Sequence, residues 1–139
     1  MQAIGETVTV SKGKLWAGRA VSGLAVLFLL FDGVIKLMRV APVLESFAQL
    51  GYPASLAVVI GTIELICVVF YVVPRTSILG TVLVTGLLGG AISTHLRVGD
   101  PLFSHVLFPV YLGVLVWGGI WLRDDALREL VPLRRRRKS

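Results

Sequence analysis

One carboxylate, Glu64, stands in the middle of an unbroken apolar run from Ala54 to Val73 that holds no other charge. Asp32 and Lys36 sit four residues apart near the end of another apolar run, a spacing that puts both on one helix face. His95 and His105 flank the break between two further runs. Such groups can carry a proton, bind a cation, or hydrogen-bond a ligand's carbonyl or hydroxyl. Placed mid-bilayer, a lone charge costs about 2.5–3.5 kcal/mol on insertion scales, so Glu64 should be protonated, paired or turned to a wet cavity. It reads equally as a functional anchor and as a structural interhelical hydrogen bond. Asp32 and Lys36 read first as an ion pair. The histidines read first as interfacial hydrogen-bonding residues, because two histidines without a third ligand make a weak metal site.

The elements that position these groups are four apolar runs, Leu15–Leu37, Ala54–Val73, Ser77–Leu96 and Leu102–Leu122. Each is long enough for a helix to cross a hydrocarbon core of about 30 Å. With 55% hydrophobic residues and a mean hydropathy of +0.84, the 139-residue chain is too apolar for an ordinary soluble domain. Continuous rather than alternating apolar residues argue against a β-barrel. The expected fold is all-α: an antiparallel bundle of four transmembrane helices over residues 14–122. A polar cytoplasmic arm (1–13) precedes it, and an interfacial helix with a basic tail (123–139) follows. Lys12 and Lys14 before the first run resemble a signal-peptide n-region. No small-residue cleavage site follows, so the run is read as a retained span.

Charge sets the expected orientation. Lys12, Lys14, Arg19, Arg75, Arg123, Arg128 and the block Arg134, Arg135, Arg136, Arg137 and Lys138 fall on the side of the termini. Only Lys36, Arg39 and Arg97 fall on the other side. Positive residues favour the cytoplasm, so both termini are expected inside a bacterial cytoplasmic (inner) membrane. A net charge of +6 does not imply nucleic acid here, because the terminal block follows a span directly and suits anionic lipid headgroups.

Smaller features fill in the architecture. The Arg39–Pro53 stretch suits a short amphipathic helix, and Pro74-Arg75-Thr76 is a link short enough to make its flanking spans antiparallel neighbours. Gly86 and Gly90 form a G-x-x-x-G, read as close helix packing within the bundle or in a homo-oligomer. Pro109 removes the backbone bond to the His105 carbonyl and is expected to kink the fourth span. Cys67 is alone, which excludes an internal disulfide and a paired-thiol mechanism. Phosphate-loop, H-E-x-x-H, nucleophile-elbow and c-type haem motifs are absent from the sequence. Counted by depth, Asp32, Lys36, Glu64, His95 and His105 all occupy the outer half, predicting an outward-opening polar pocket with Glu64 as its floor. The same count separates Lys36 from Glu64 by roughly a dozen ångströms, about twice the reach of a lysine stem.

Several pieces recur in an order that carries a resemblance: Gly33-Val34-Ile35-Lys36-Leu37, Leu50-Gly51-Tyr52-Pro53, Gly61-Thr62-Ile63-Glu64-Leu65 and Pro74-Arg75. Gly89 to Arg97, then Gly99-Asp100-Pro101, Pro109 and Trp121-Leu122-Arg123-Asp124 complete it. From Val26 to Pro132 the chain resembles the DoxX-like family of small four-span bacterial membrane proteins. The resemblance implies Lys36, Glu64 and His95 as the family's polar positions. It also implies a link to quinone-dependent redox systems, since the wider family is named after a membrane subunit of a thiosulfate:quinone oxidoreductase. The expected function is binding of a hydrophobic ligand, a quinone or a lipid, at Glu64, His95, Lys36, Asp32 and His105. The chain would then serve as a membrane subunit beside a redox partner protein, with no independent enzymatic activity, no metal and no nucleic acid. A small proton-coupled transporter and a purely structural membrane partner are the alternatives.

Overall fold

Ser11 to Pro132 are described by the computed structural model. The basic block Arg134–Lys138 and most of the polar arm lie outside the described residues. The chain between is helical: α1 (Lys12–Leu37), α2 (Ala41–Gln49), α3 (Leu56–Val72), α4 (Ser77–Val98), α5 (Phe108–Arg123) and α6 (Asp125–Leu130). Three helical stretches are long and apolar enough to cross a membrane: Lys12–Leu37, Pro74–Val98 and Leu102–Arg123. The fourth apolar helix, Leu56–Val72, has 17 residues and spans about 25 Å.

Local chemistry sets the ends. The Ser11 side chain accepts from the Lys14 amide at 3.3 Å and starts α1. Gly99, in the left-handed region at φ 73°, closes α4, where a side chain would be strained. Asp124 caps α6 by accepting from the Leu127 amide at 3.0 Å. Pro109 does not kink a helix from within, as the sequence suggested. The break precedes it, in a π-helical turn at Leu102–Val106, and α5 begins at Phe108. Pro109 thus falls in the first turn, where a missing N–H leaves no helical bond unmade.

α1, α3, α4 and α5 touch in that order and α5 returns to α1, closing a ring of antiparallel neighbours. Glycines allow the close approaches. A Cβ on Gly61 would meet the Lys36 Cβ at 2.8 Å and the Gly33 carbonyl at 2.9 Å, so α1 and α3 pass almost backbone to backbone there. Gly18 and Gly119 do the same for α1 and α5, and Gly80 lies against the Tyr71 backbone of α3. Gly86 and Gly90 were the expected packing pair, but a Cβ on either meets nothing within 4 Å. Small residues serve the interface only where a neighbouring backbone arrives, and none arrives at that turn of α4.

The core fills the ring toward the end carrying the termini, with Ala25, Leu29, Val68, Tyr71, Val84, Val116 and Ile120 buried. Within it the Tyr71 hydroxyl accepts from Ser22 Oγ at 2.7 Å and donates to the Val116 carbonyl at 2.8 Å. Arg123 Nη2 donates to the same Ser22 oxygen at 3.0 Å. Leu27, Phe31, Val69, Val82 and Val114 point outward and are exposed, an apolar surface suited to lipid contact.

Candidate functional site

At the end of the ring away from the termini the helices part. A cavity of about 500 Å³ lies between them. α1 contributes Phe28, Leu29, Asp32 and Lys36, α3 contributes Ile60 and Glu64, α4 contributes Gly86 to Leu88 and Gly90 to His95 in part, and α5 contributes Phe108 to Leu112 in part. The glycines that make no helix contact, Gly86 and Gly90, line its wall. Their missing side chains leave room in the cavity rather than letting a helix in.

The polar centre is a triad. Lys36 Nζ donates to Glu64 Oε2 at 2.7 Å and also to Asp32 Oδ2. Glu64 is only 2% exposed, whereas Asp32 is partly open. The dozen-ångström gap expected between Lys36 and Glu64 does not exist. Lys36 stands beside Gly61, one helical turn from Glu64, so the two differ in height by about 4.5 Å. The count failed because it put Lys36 at the bundle's edge, level with the start of α3. In the structure α1 ends beside Gly61, five residues past the start of α3, so Lys36 lies deeper in the bundle than its place near the end of α1 implied.

The other polar positions group differently. His95 Nδ1 lies 2.5 Å from Asp100 Oδ2, and its residue lines the cavity on the α4 side. His105 is outside the lining; it bonds Ser104 at 2.7 Å and meets the His95 ring edge-on at 5.8 Å between centroids. So Asp32, Lys36, Glu64 and His95 share one cavity, and His105 stands behind His95. Among the described residues no three His, Cys, Asp or Glu side chains gather as a metal site.

Sequence reading missed the cavity's cover. α2 lays Val43 and Phe47 inward, and Ser46, Phe47, Leu50 and Tyr52 line the cavity. Two polar contacts strap this segment to α4: Tyr52 to Thr94 Oγ1 at 2.7 Å, and Arg97 to the Leu50 carbonyl. Gly51, at φ 76°, makes the tight turn between them. Only a pairing across 40 or more positions could have revealed these bonds, and no local spacing encodes that. Removing both straps with Tyr52→Phe and Arg97→Gln is expected to free α2, since each net hydrogen bond contributes about 0.5–1.5 kcal/mol. Chymotrypsin should then cut at Phe47 several-fold faster in detergent. Unchanged cleavage would show that the apolar contacts of α2 hold it alone.

The sequence profile of the DoxX-like family matches residues 20–119 of the chain. No curated protein and no solved structure matches it. The match covers α1 from its third turn onward through most of α5, and so includes every residue of the triad. Family and apolar helices together point to a membrane protein.

Proposed function

We propose that this chain, which belongs to the DoxX-like family, is a four-span inner-membrane protein that binds a hydrophobic ligand in the distal cavity. The observation that carries the reading is a charged triad set in the wall of a largely apolar cavity about 500 Å³ in volume. That volume falls within the usual range for small-molecule sites, about 300–1,000 Å³. Apolar walls with a few convergent polar groups suit a quinone or a lipid, with Glu64, Lys36 and His95 as anchors for its head.

Four crossings follow if α3 spans as well. Its 17 residues run antiparallel between two longer spans, and buried neighbours on both sides compensate for its length. Lys12, Lys14, Arg19, Arg75, Arg123 and Arg128 lie at the end of the termini, which supports a cytoplasmic position for that end and an outward-facing cavity. The charge of the terminal basic block suits anionic lipid headgroups. A membrane redox partner and the role of a subunit fit the family, with the protein holding the ligand and the partner doing the electron chemistry.

A second reading, proton-coupled transport, is favoured by the two carboxylates that converge on Lys36. Proteoliposomes with an imposed pH gradient would show gradient-dependent flux under that reading and none under simple binding.

Ligand binding has a stability signature. A ligand at a hundred times its Kd stabilises the folded state by about 2.7 kcal/mol. Delipidated protein titrated with a long-chain quinone, or with phospholipid, should melt at a higher temperature in proportion. Glu64→Gln should lose most of that shift. Equal shifts in wild type and variant would remove Glu64 from the anchor set.

A further inference from the structure

The cavity's charges do not balance. Lys36 is a single cation held by two carboxylates, Asp32 and Glu64, so with all three groups ionised the triad carries one excess negative charge. His95 adds no cation free of its own acid, because it leans on Asp100. Arg97 is exposed and engaged with the Leu50 carbonyl. Glu64 is nearly fully buried, yet among the described residues only its Oε2 receives a hydrogen bond. Glu64 lines the cavity, and no buried side-chain polar atom of the described residues is sealed off without a partner. Phe28 and Phe108 also line the cavity, with ring centroids 5.0 Å apart.

An uncompensated charge in apolar surroundings is costly, and a counter-charge brought by a ligand removes the cost. We propose that the cavity selects an amphiphile whose head is a positively charged amine or quaternary ammonium. The head sits at the Glu64 and Asp32 carboxylates, and the apolar body lies against Phe28, Phe108 and Leu112. This rests on the cavity being a site for a hydrophobic ligand, and it narrows that ligand from quinone or lipid to an ammonium-headed amphiphile.

Three probes sharing an octyl tail separate the possibilities: octyltrimethylammonium, octanol and octanoate, titrated calorimetrically into the full chain in nanodiscs. Octyltrimethylammonium should bind saturably and at least tenfold tighter than the other two. Glu64→Gln should bring octyltrimethylammonium down to the affinity of octanol, and Asp32→Asn carries the same contrast if Glu64→Gln does not fold. Equal affinity for all three heads, or preference for octanol or octanoate, overturns the proposal and leaves the hydrophobic site standing. In that case a proton, rather than a ligand, balances the triad. Absence of saturable binding by every probe overturns both.

Discussion

Gly80→Ala is expected to lower the thermal midpoint of the bundle steeply, or to prevent its assembly, while Gly90→Ala leaves it unchanged. Both replace one hydrogen with one methyl on the same helix. At Gly80 the added carbon would land on the backbone of Tyr71 and Phe70, which cannot turn aside as a side chain can. α3 and α4 would have to separate at the contact that buries Tyr71 and its hydrogen bonds to Ser22 and Val116. Overpacking a well-filled interior costs about 1–3 kcal/mol and sometimes more, and a backbone neighbour puts this site at the upper end. At Gly90 the methyl enters open space, and alanine is the better helix former by about 1 kcal/mol in soluble helices. Thermal denaturation in detergent, followed by size-exclusion, reads both. Equal behaviour of the two variants would mean that α3 and α4 do not meet at Gly80.

The second large effect belongs to Lys36→Met. It keeps the length and apolar stem but removes the cation that Asp32 and Glu64 share. Breaking a buried ion pair by deleting one partner costs about 3–5 kcal/mol, because the remaining charge stays buried without compensation. Lys36→Met with Glu64→Gln should therefore be more stable than Lys36→Met alone, although it carries one more substitution. Coupling between contacting residues usually falls at about 0.5–3 kcal/mol, and this pair should show the upper part of that range. Stabilities that simply add would mean that Lys36 and Glu64 do not interact.

Much of the helical frame was legible from hydropathy alone, because lipid leaves a helix few alternatives and each run announces itself. The α2 segment was legible as a short amphipathic helix within Arg39–Pro53, but not as the cover of the cavity. What could not be read was how far one helix slides past the next. Lys36 and Glu64 meet because α1 and α3 share the Gly33–Gly61 contact, a register that no hydropathy count contains. The same limit hid the function of the glycines. Gly80 and Gly86 look alike in sequence, but one meets a backbone and the other faces a cavity. Tyr71, Ser22 and Arg123 were passed over for a related reason. Their spacings, 49 and 52 positions, mean nothing until the ring closes.

The site's make-up divides in the same way. Glu64 stood out because a carboxylate amid twenty apolar residues is costly on its own terms. Asp32 and Lys36 stood out by their helical spacing. That His95 faces the cavity while His105 stands behind it depends on the π-helical turn at Leu102–Val106, which rotates the start of the last span. The sequence signalled a break there only through Pro101 and Pro109.

The most direct measurement is mass spectrometry of the small molecules that stay with the detergent-extracted protein. It would compare wild type, Glu64→Gln and the cavity-filling Ala91→Trp. A single hydrophobic species near one per chain in wild type, and lost from both variants, is the result expected of a ligand held in the distal cavity by Glu64. The same bulk lipid on all three proteins, with no stoichiometric species on wild type, would contradict it.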